Sequence, residues 1–137
     1  MKNNLNYFEG IGRRKTATAR VRVYNEPTES KGKFIINGSN AIDYFKVLRY
    51  QNSASEPLKV LGGPGQKMKV ESIVKGGGIM AQSEAIKLGL ARAILGYRPE
   101  LKSELRSLGY LTRDSRMVER KKYGLRKARR ASQWKKR

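Results

Sequence analysis

Between Leu111 and Arg137 the chain carries 12 Lys and Arg against two acids, Asp114 and Glu119, and apolar periodicity stops. No hydrophobic core accepts such a segment: its charges repel one another and hold it open. The chain therefore divides into a single globular domain, residues 1–110, and an extended basic tail, residues 111–137, with the boundary between Gly109 and Thr112. The formal net charge of +20 splits evenly between them, because the first 110 residues hold 19 basic and 9 acidic side chains. The tail concentrates its +10 into 27 residues. A surplus of this size points to a polyanion, and RNA, DNA and anionic membrane are the choices.

Membrane is the weakest of the three. No run approaches the roughly 20 apolar residues of a spanning helix, and the tail lacks an apolar face to lie in a bilayer surface. The N-terminal stretch MKNNLNYFEGIGRRK has no apolar run suited to a secretory signal and is short for a transit peptide, so a cytoplasmic location is expected. With no Cys there are no disulfides or thiolate metal sites, and with no His the commonest general base and metal ligand is missing. Catalysis would rest on Asp43, Asp114 and nine Glu, and nothing in their spacing brings two carboxylates together. No enzyme, no cofactor and no metal are expected.

TATARVRVY, Thr16 to Tyr24, alternates Ala17, Ala19, Val21 and Val23 against Thr18, Arg20, Arg22 and Tyr24, the pattern of a half-buried strand. Tyr7 to Ile11 reads as a strand before it and Gly12 to Lys15 as the basic turn between. Lys33 to Ile36 is a short strand closed by the Asn37-Gly38 turn signal, and Asn40 caps a helix presenting Ile42, Phe45 and Leu48. No element is assigned from Arg49 to Glu56; past Pro57 and Leu58 to Leu61, Gly62 to Gly65 is loop chemistry. Met68 to Lys75 is a last strand, and Ala81 to Leu95 the strongest helix, stopped near Gly96. Pro99 opens a short helix with Leu101, Leu105 and Leu108, ended by Gly109. Interleaved strands and helices without a long repeat predict an α+β fold, a small, mostly antiparallel sheet with helices on one face.

Ala81, Ala85, Gly89 and Ala93 put small side chains down one helix face, which predicts close docking on the sheet in preference to contact with nucleic acid. The Gly10-Ile11-Gly12 segment precedes a strand, so it lacks the strand-to-helix context of a nucleotide loop. Gly76, Gly77 and Gly78 do lie between strand and helix. Either they offer backbone N–H groups to a phosphate or they permit a tight turn. Arg13, Arg14, Lys15, Arg20 and Arg22 cluster with no acid between Ile11 and Asn25, which favours a ligand patch. In the tail, Tyr123 and Trp134 interrupt the basic run. Spaced aromatics among Lys and Arg suit RNA, by salt bridges to phosphate and stacking on bases; the alternative is a solubilising or targeting tail.

Three motifs in order resemble the family of the ninth protein of the small ribosomal subunit. They are G-R-R-K-T-A-x-A-R-V at Gly12 to Val21, the helix signature from Gly76-Gly77-Gly78 through Ala81, Gln82, Ala85, Gly89, Ala91, Arg92 and Ala93, and the tail from Leu111-Thr112-Arg113-Asp114 to Lys122-Tyr123-Gly124. The resemblance implies an α+β fold with a left-handed βαβ crossover, seated in the subunit head on the 3′ major domain of small-subunit rRNA beside neighbouring head proteins. It further implies a tail that threads rRNA to peptidyl-site tRNA. Carried over by position, the rRNA-binding residues are Arg13, Arg14, Lys15, Arg20, Arg22, Gly76, Gly77, Gly78 and Gln82 in the body. In the tail they are Arg113, Arg116, Arg120, Lys121, Lys122, Tyr123, Arg126, Lys127, Arg129 and Arg130. Gln133, Trp134, Lys135, Lys136 and Arg137 are the tRNA-facing residues.

Twenty-seven extended residues span up to about 90 Å, enough for such a path. Family tails commonly end A-P-Q-F-S-K-R, whereas Ala131 to Arg137 reads A-S-Q-W-K-K-R, which frees the backbone at Ser132 and adds a charge at Lys135. The tail resembles the bacterial and organellar form and differs from the eukaryotic and archaeal one. Equal charge would also suit a DNA-binding architectural module, but the chain has no helix-turn-helix or zinc pattern, and no DNA partner is expected.

Overall fold

The computed structural model describes residues 7–24, 33–63 and 68–136. Strands β1 (Tyr7–Arg14) and β2 (Ala17–Tyr24) form an antiparallel hairpin with Arg14 opposite Ala17. The turn is shorter than the sequence suggests. Gly12, Arg13 and Arg14 extend β1, leaving only Lys15, at φ +50°, and Thr16 to reverse the chain. Strand β3 (Phe34–Ile36) and the two-residue β4 (Ser39–Asn40), not anticipated from sequence, flank Asn37-Gly38. The Asn37 amide donates to the Val74 carbonyl at 3.0 Å and accepts from the Val74 N–H at 2.9 Å, standing in for a ladder pair.

Asn40 caps a helix as expected, accepting from the Ile42 N–H at 3.4 Å, but α1 (Ala41–Tyr44) lasts one turn. Extended backbone at Phe45 drives its ring, wholly buried, into the core between Tyr44 and Tyr50. A second helix, α2 (Leu48–Val60), starts three residues on and runs through Pro57. The Gln51 amide reaches back to the carbonyls of Phe45 and Ile42 and satisfies groups that the short helix leaves unpaired.

Strand β5 (Lys69–Lys75) buries Val70, Ser72 and Val74 and leads into α3 (Ile79–Tyr97), which begins two residues earlier and ends two later than its apolar pattern indicates. Gly96 lies inside the helix; the stop is Arg98, extended ahead of Pro99. A 3-10 turn (Pro99–Leu101) and α4 (Lys102–Ser107) complete the elements. The five-stranded sheet has the order β1-β2-β5-β3-β4, antiparallel throughout except for β3 beside β5. That parallel pair is the crossover, its strands joined through β4, α1 and α2.

Helix α3 lies against β1 and β2 at backbone contact. A Cβ on Gly12 would stand 1.9 Å from the Ala85 carbonyl oxygen and one on Gly10 2.1 Å from that of Gly89. From the helix side, a Cβ on Gly89 would meet Val21 Cγ2 at 2.9 Å. The stripe of Ala81, Ala85, Gly89 and Ala93 is therefore a docking face, wholly buried, and Gly10 and Gly12 are its complement on the strand.

Gly12→Ala must push backbone away from backbone, and overpacking of this kind costs about 3 kcal/mol or more. Gly63→Ala, where nothing lies within 4 Å, should stay within about 0.5 kcal/mol of the parent. Urea denaturation of both variants separates close packing from any general cost of replacing glycine.

Candidate nucleic-acid interface

Among the described residues the sheet face turned away from α3 carries no helix, and pairing across β1, β2 and β5 arranges its side chains in rows. Arg13, Thr18 and Lys75 form one row, Ile11, Arg20 and Ile73 the next, then Glu9, Arg22 and Glu71, and last Tyr7, Tyr24 and Lys69. The face is graded. Its first row, beside Lys15, holds no acid, while the third holds two.

Arg20 and Arg22 share one carboxylate, Arg20 Nε donating to Glu9 at 2.8 Å and Arg22 Nε at 3.0 Å. Arg22 also lies 4.9 Å over the Tyr7 ring. The hydrogen bond from Arg20, aided by that from Arg22, holds the Glu9 carboxyl below its ordinary value and outweighs the opposing effect of burial. Glu71 is likewise lowered, first by Lys69 at 2.8 Å and then by the Tyr24 hydroxyl at 2.7 Å, and that bond raises Tyr24. The segment Ile11 to Asn25 lacks acids, yet β1 supplies one from two residues before it. Strand register, which composition does not reveal, is the signal that finds Glu9.

Arg14 has the parity of Gly10 and Gly12, so it points to the helix side, away from Arg13. Its side chain is 12% exposed and paired with Glu84 and Asp114. Arg13, of opposite parity, is exposed on the other side, and Lys15 is exposed in the turn.

Gly76 and Gly77, at φ +74° and +66°, turn the chain from β5 into α3 against the β-hairpin turn. A Cβ on Gly76 would lie 2.6 Å from the Thr16 carbonyl oxygen and one on Gly77 2.9 Å from Ala17 Cβ. These contacts require the tight turn at both positions. Gly78, the N-cap, faces open space and has no side-chain cap, so the first N–H groups of α3 are presented beside the acid-free row. Gln82 is engaged internally, accepting from the Tyr44 hydroxyl at 2.8 Å and donating to the Gly76 carbonyl at 3.1 Å.

Beyond the last helix, the chain from Arg113 to Lys136 forms no helix or named strand. An isolated bridge joins Leu125 to Ala131, and the Arg126 N–H donates to the Arg130 carbonyl at 2.7 Å, making a small loop with Lys127 and Arg129 within it. Glu119 pairs with Lys122 at 3.2 Å and Arg129 at 3.0 Å, and Arg116 is held by Asp114 at 2.8 Å. Among the described residues no carboxylate lies within ion-pair distance of Arg113, Arg120, Lys121, Arg126, Lys127, Arg130, Lys135 or Lys136. Tyr123 and Trp134 are 97% and 78% exposed, rings open for stacking, and Gln133 is exposed beside the second. Arg137 lies outside the described residues. Among the described residues no helix is long and apolar enough to cross a membrane, and no cluster of acids could hold a metal ion.

The family model described as ribosomal protein S9/S16 matches residues 12–137. Small ribosomal subunit protein uS9 of Cytophaga hutchinsonii is 47% identical over 130 residues, covering 95% of this chain and 98% of its own. The uS9 protein of Thermus thermophilus is 46% identical over 130 residues with the same coverage. Small ribosomal subunit protein uS9c of Gracilaria tenuistipitata var. liui is 43% identical over 137 residues, covering 99% and 96%.

Glu9→Gln releases Arg20 and Arg22 and adds one net positive charge to the sheet face. The variant should elute from a heparin column at higher salt than the parent. Because the pairs hold Glu9 ionised below its ordinary range, the difference should persist from about pH 8 down through the usual carboxylate range and vanish only below it, where the parent's carboxyl also takes up a proton. The stability these pairs contribute follows the same sign, present above the unfolded value and lost as pH falls through the folded one.

Proposed function

Because this chain belongs to the ribosomal protein S9/S16 family, we propose that it is a structural constituent of the small ribosomal subunit whose body holds small-subunit rRNA and whose tail reaches peptidyl-site tRNA. The family is a structural, non-enzymatic component of the ribosome, and the relatives include bacterial proteins and an organellar one, so the particle is of bacterial type. The body, residues 1–110, sits in the subunit head on the 3′ major domain among neighbouring head proteins, and residues 111–137 run through rRNA.

The observation that carries this reading is the sorting of cations by partner. Arg14, Arg20 and Arg22 are engaged by carboxylates of the protein, whereas among the described residues Arg13, Lys15 and most tail bases have no carboxylate within ion-pair distance. A solvated surface would intersperse the two signs; a free basic row beside an uncapped helix N-terminus and a free basic tail instead suit phosphates. If about five tail charges meet single-stranded phosphates, the salt slope is near −3.5, costing roughly a hundredfold in affinity between 50 and 200 mM salt. The tail therefore shares the binding with the body. Lys135, at the place where family tails commonly carry Ser, adds one charge to the tRNA end.

Cross-linking in cells tests the reading. Arg13 to Arg22 joined to small-subunit rRNA, with Lys135 to Arg137 joined to tRNA, is the expected map; scattered links to DNA or messenger RNA with no enrichment in ribosomal particles would reject it. Lys135→Ser should weaken peptidyl-site tRNA binding and reduce its salt slope by about 0.7, equivalent to roughly two- to threefold less loss of affinity between 50 and 200 mM salt. Unchanged affinity would remove Lys135 from the tRNA contact.

A further inference from the structure

Arg14 closes β1 with its guanidinium turned toward α3 and the chain that follows α4. Nε donates to Glu84 Oε2 at 2.5 Å, and Nη1 donates to the Arg116 carbonyl at 2.7 Å and to that of Asp114 at 3.4 Å. Nη2 lies 3.0 Å from Asp114 Oδ2. Asp114 in turn accepts the Arg116 backbone N–H at 2.9 Å and its guanidinium at 2.8 Å.

The chain arrives at this cluster along a fixed path. Helix α4 ends with the Gly109 N–H on the Arg106 carbonyl and the Tyr110 N–H on the Leu105 carbonyl, the paired bonds that turn a helix terminus back on itself. Tyr110 then lies with its ring 4.6 Å from Lys87 Nζ, and Leu111 packs on the core. Lys87 is itself paired with Glu56 of α2. Past Arg116 the chain is released, with Met117 and Val118 58% and 88% exposed.

We propose that Arg14, Glu84 and Asp114 form a latch that fixes the direction in which the basic tail leaves the body, so that Arg14 acts as a positioning residue and not as a phosphate ligand. The consequence for RNA rests on the rRNA-binding reading above; the latch itself does not. A guanidinium has five donors in a rigid fork, and two carboxylates and two carbonyls already occupy this one. A phosphate would have to displace them from a site only 12% exposed. Asp114, moreover, is an acid at the root of a segment otherwise suited to a polyanion, where its charge opposes attraction. Its hydrogen bonds to Arg116, with Arg14 adding attraction, hold its carboxyl well below the usual carboxylate range, so it stays charged wherever binding is measured. A tail held at a set angle presents its cations to the same RNA that the body grips, which raises their effective concentration there.

The full chain has no Cys, so Lys102→Cys and Val118→Cys take spin labels at two chosen points. The distance distribution between them in the free protein should be narrow, and Asp114→Asn should broaden it; equal widths overturn the latch. Against a small-subunit rRNA fragment, Asp114→Asn should bind roughly tenfold more weakly with its salt slope unchanged. Electrostatics alone predicts the opposite, since the substitution removes a negative charge, so equal or tighter binding rejects the positioning role. Arg14→Gln, checked to melt as the parent does, should likewise weaken binding at constant slope. A slope reduced by about 0.7 would identify Arg14 as a phosphate contact instead. If the parent chain fails to bind rRNA, the functional reading falls, and the label distances still judge the latch.

Discussion

The contact on which the remaining architecture depends is backbone against backbone, where α3 crosses β1 with only hydrogen atoms between Gly10, Gly12 and the Ala85 to Ala93 stripe. Close approach by small residues lets dispersion act over the whole length of the crossing, and it leaves no slack for a larger side chain. Because α3 covers one side of the hairpin so fully, the other side of β1, β2 and β5 is left to project Arg13, Thr18, Arg20 and Lys75 outward. The same crossing pins the N-terminus of α3 to the hairpin turn, through Gly76 and Gly77 against Thr16 and Ala17. A helix terminus and a row of cations are thus brought together by packing that involves none of the charged groups.

Charge is handled differently in the three parts of the molecule. On the sheet face, Glu9 and Glu71 offset the bases at the aromatic end and leave the opposite end uncompensated. At the root of the tail, acids are used to build structure, and beyond it Glu119 is the sole acid in the sequence through Arg137. Exposed pairs such as Arg129 with Glu119 contribute little stability in water and yield readily to a phosphate. Half-buried ones, with hydrogen bonds closing around them as at Arg14, are harder to exchange.

Much of this was legible in the sequence, and the illegible parts have identifiable causes. Alternation gave β2 nearly to the residue because each of its apolar side chains faces the core, and the small stripe on α3 correctly signalled a docking face. The interior role of Arg14 was hidden because the basic run Arg13-Arg14-Lys15 looks like a solvated turn, although strand parity carries Gly10 and Gly12 through to Arg14. Glu9 escaped because register joins residues that composition treats as separate. Helix α2 was invisible: of Arg49 to Pro57 only Ala54 and Pro57 are buried, too few to mark a period, and a proline inside discourages the assignment. The proposed division between rRNA-facing and tRNA-facing residues comes from the family motifs alone; no pattern of hydrophobicity could have yielded it.

The place of β5 in the sheet has a bearing on how the molecule is made. It lies between β2 and β3, so the two hairpins that precede it in the chain share no edge until residues 69–75 are inserted between them. Pairing across such sequence separation is slow, because a long loop must close before any ladder bond rewards it. During synthesis the early strands therefore wait, with unpaired edges, for a strand that begins 45 residues after the first hairpin ends, and α3 follows directly to seal it. Only then does the basic segment appear. The body has its whole sheet and its main helix before the part of the chain most able to seize RNA leaves the tunnel, so the order of translation favours folding ahead of capture.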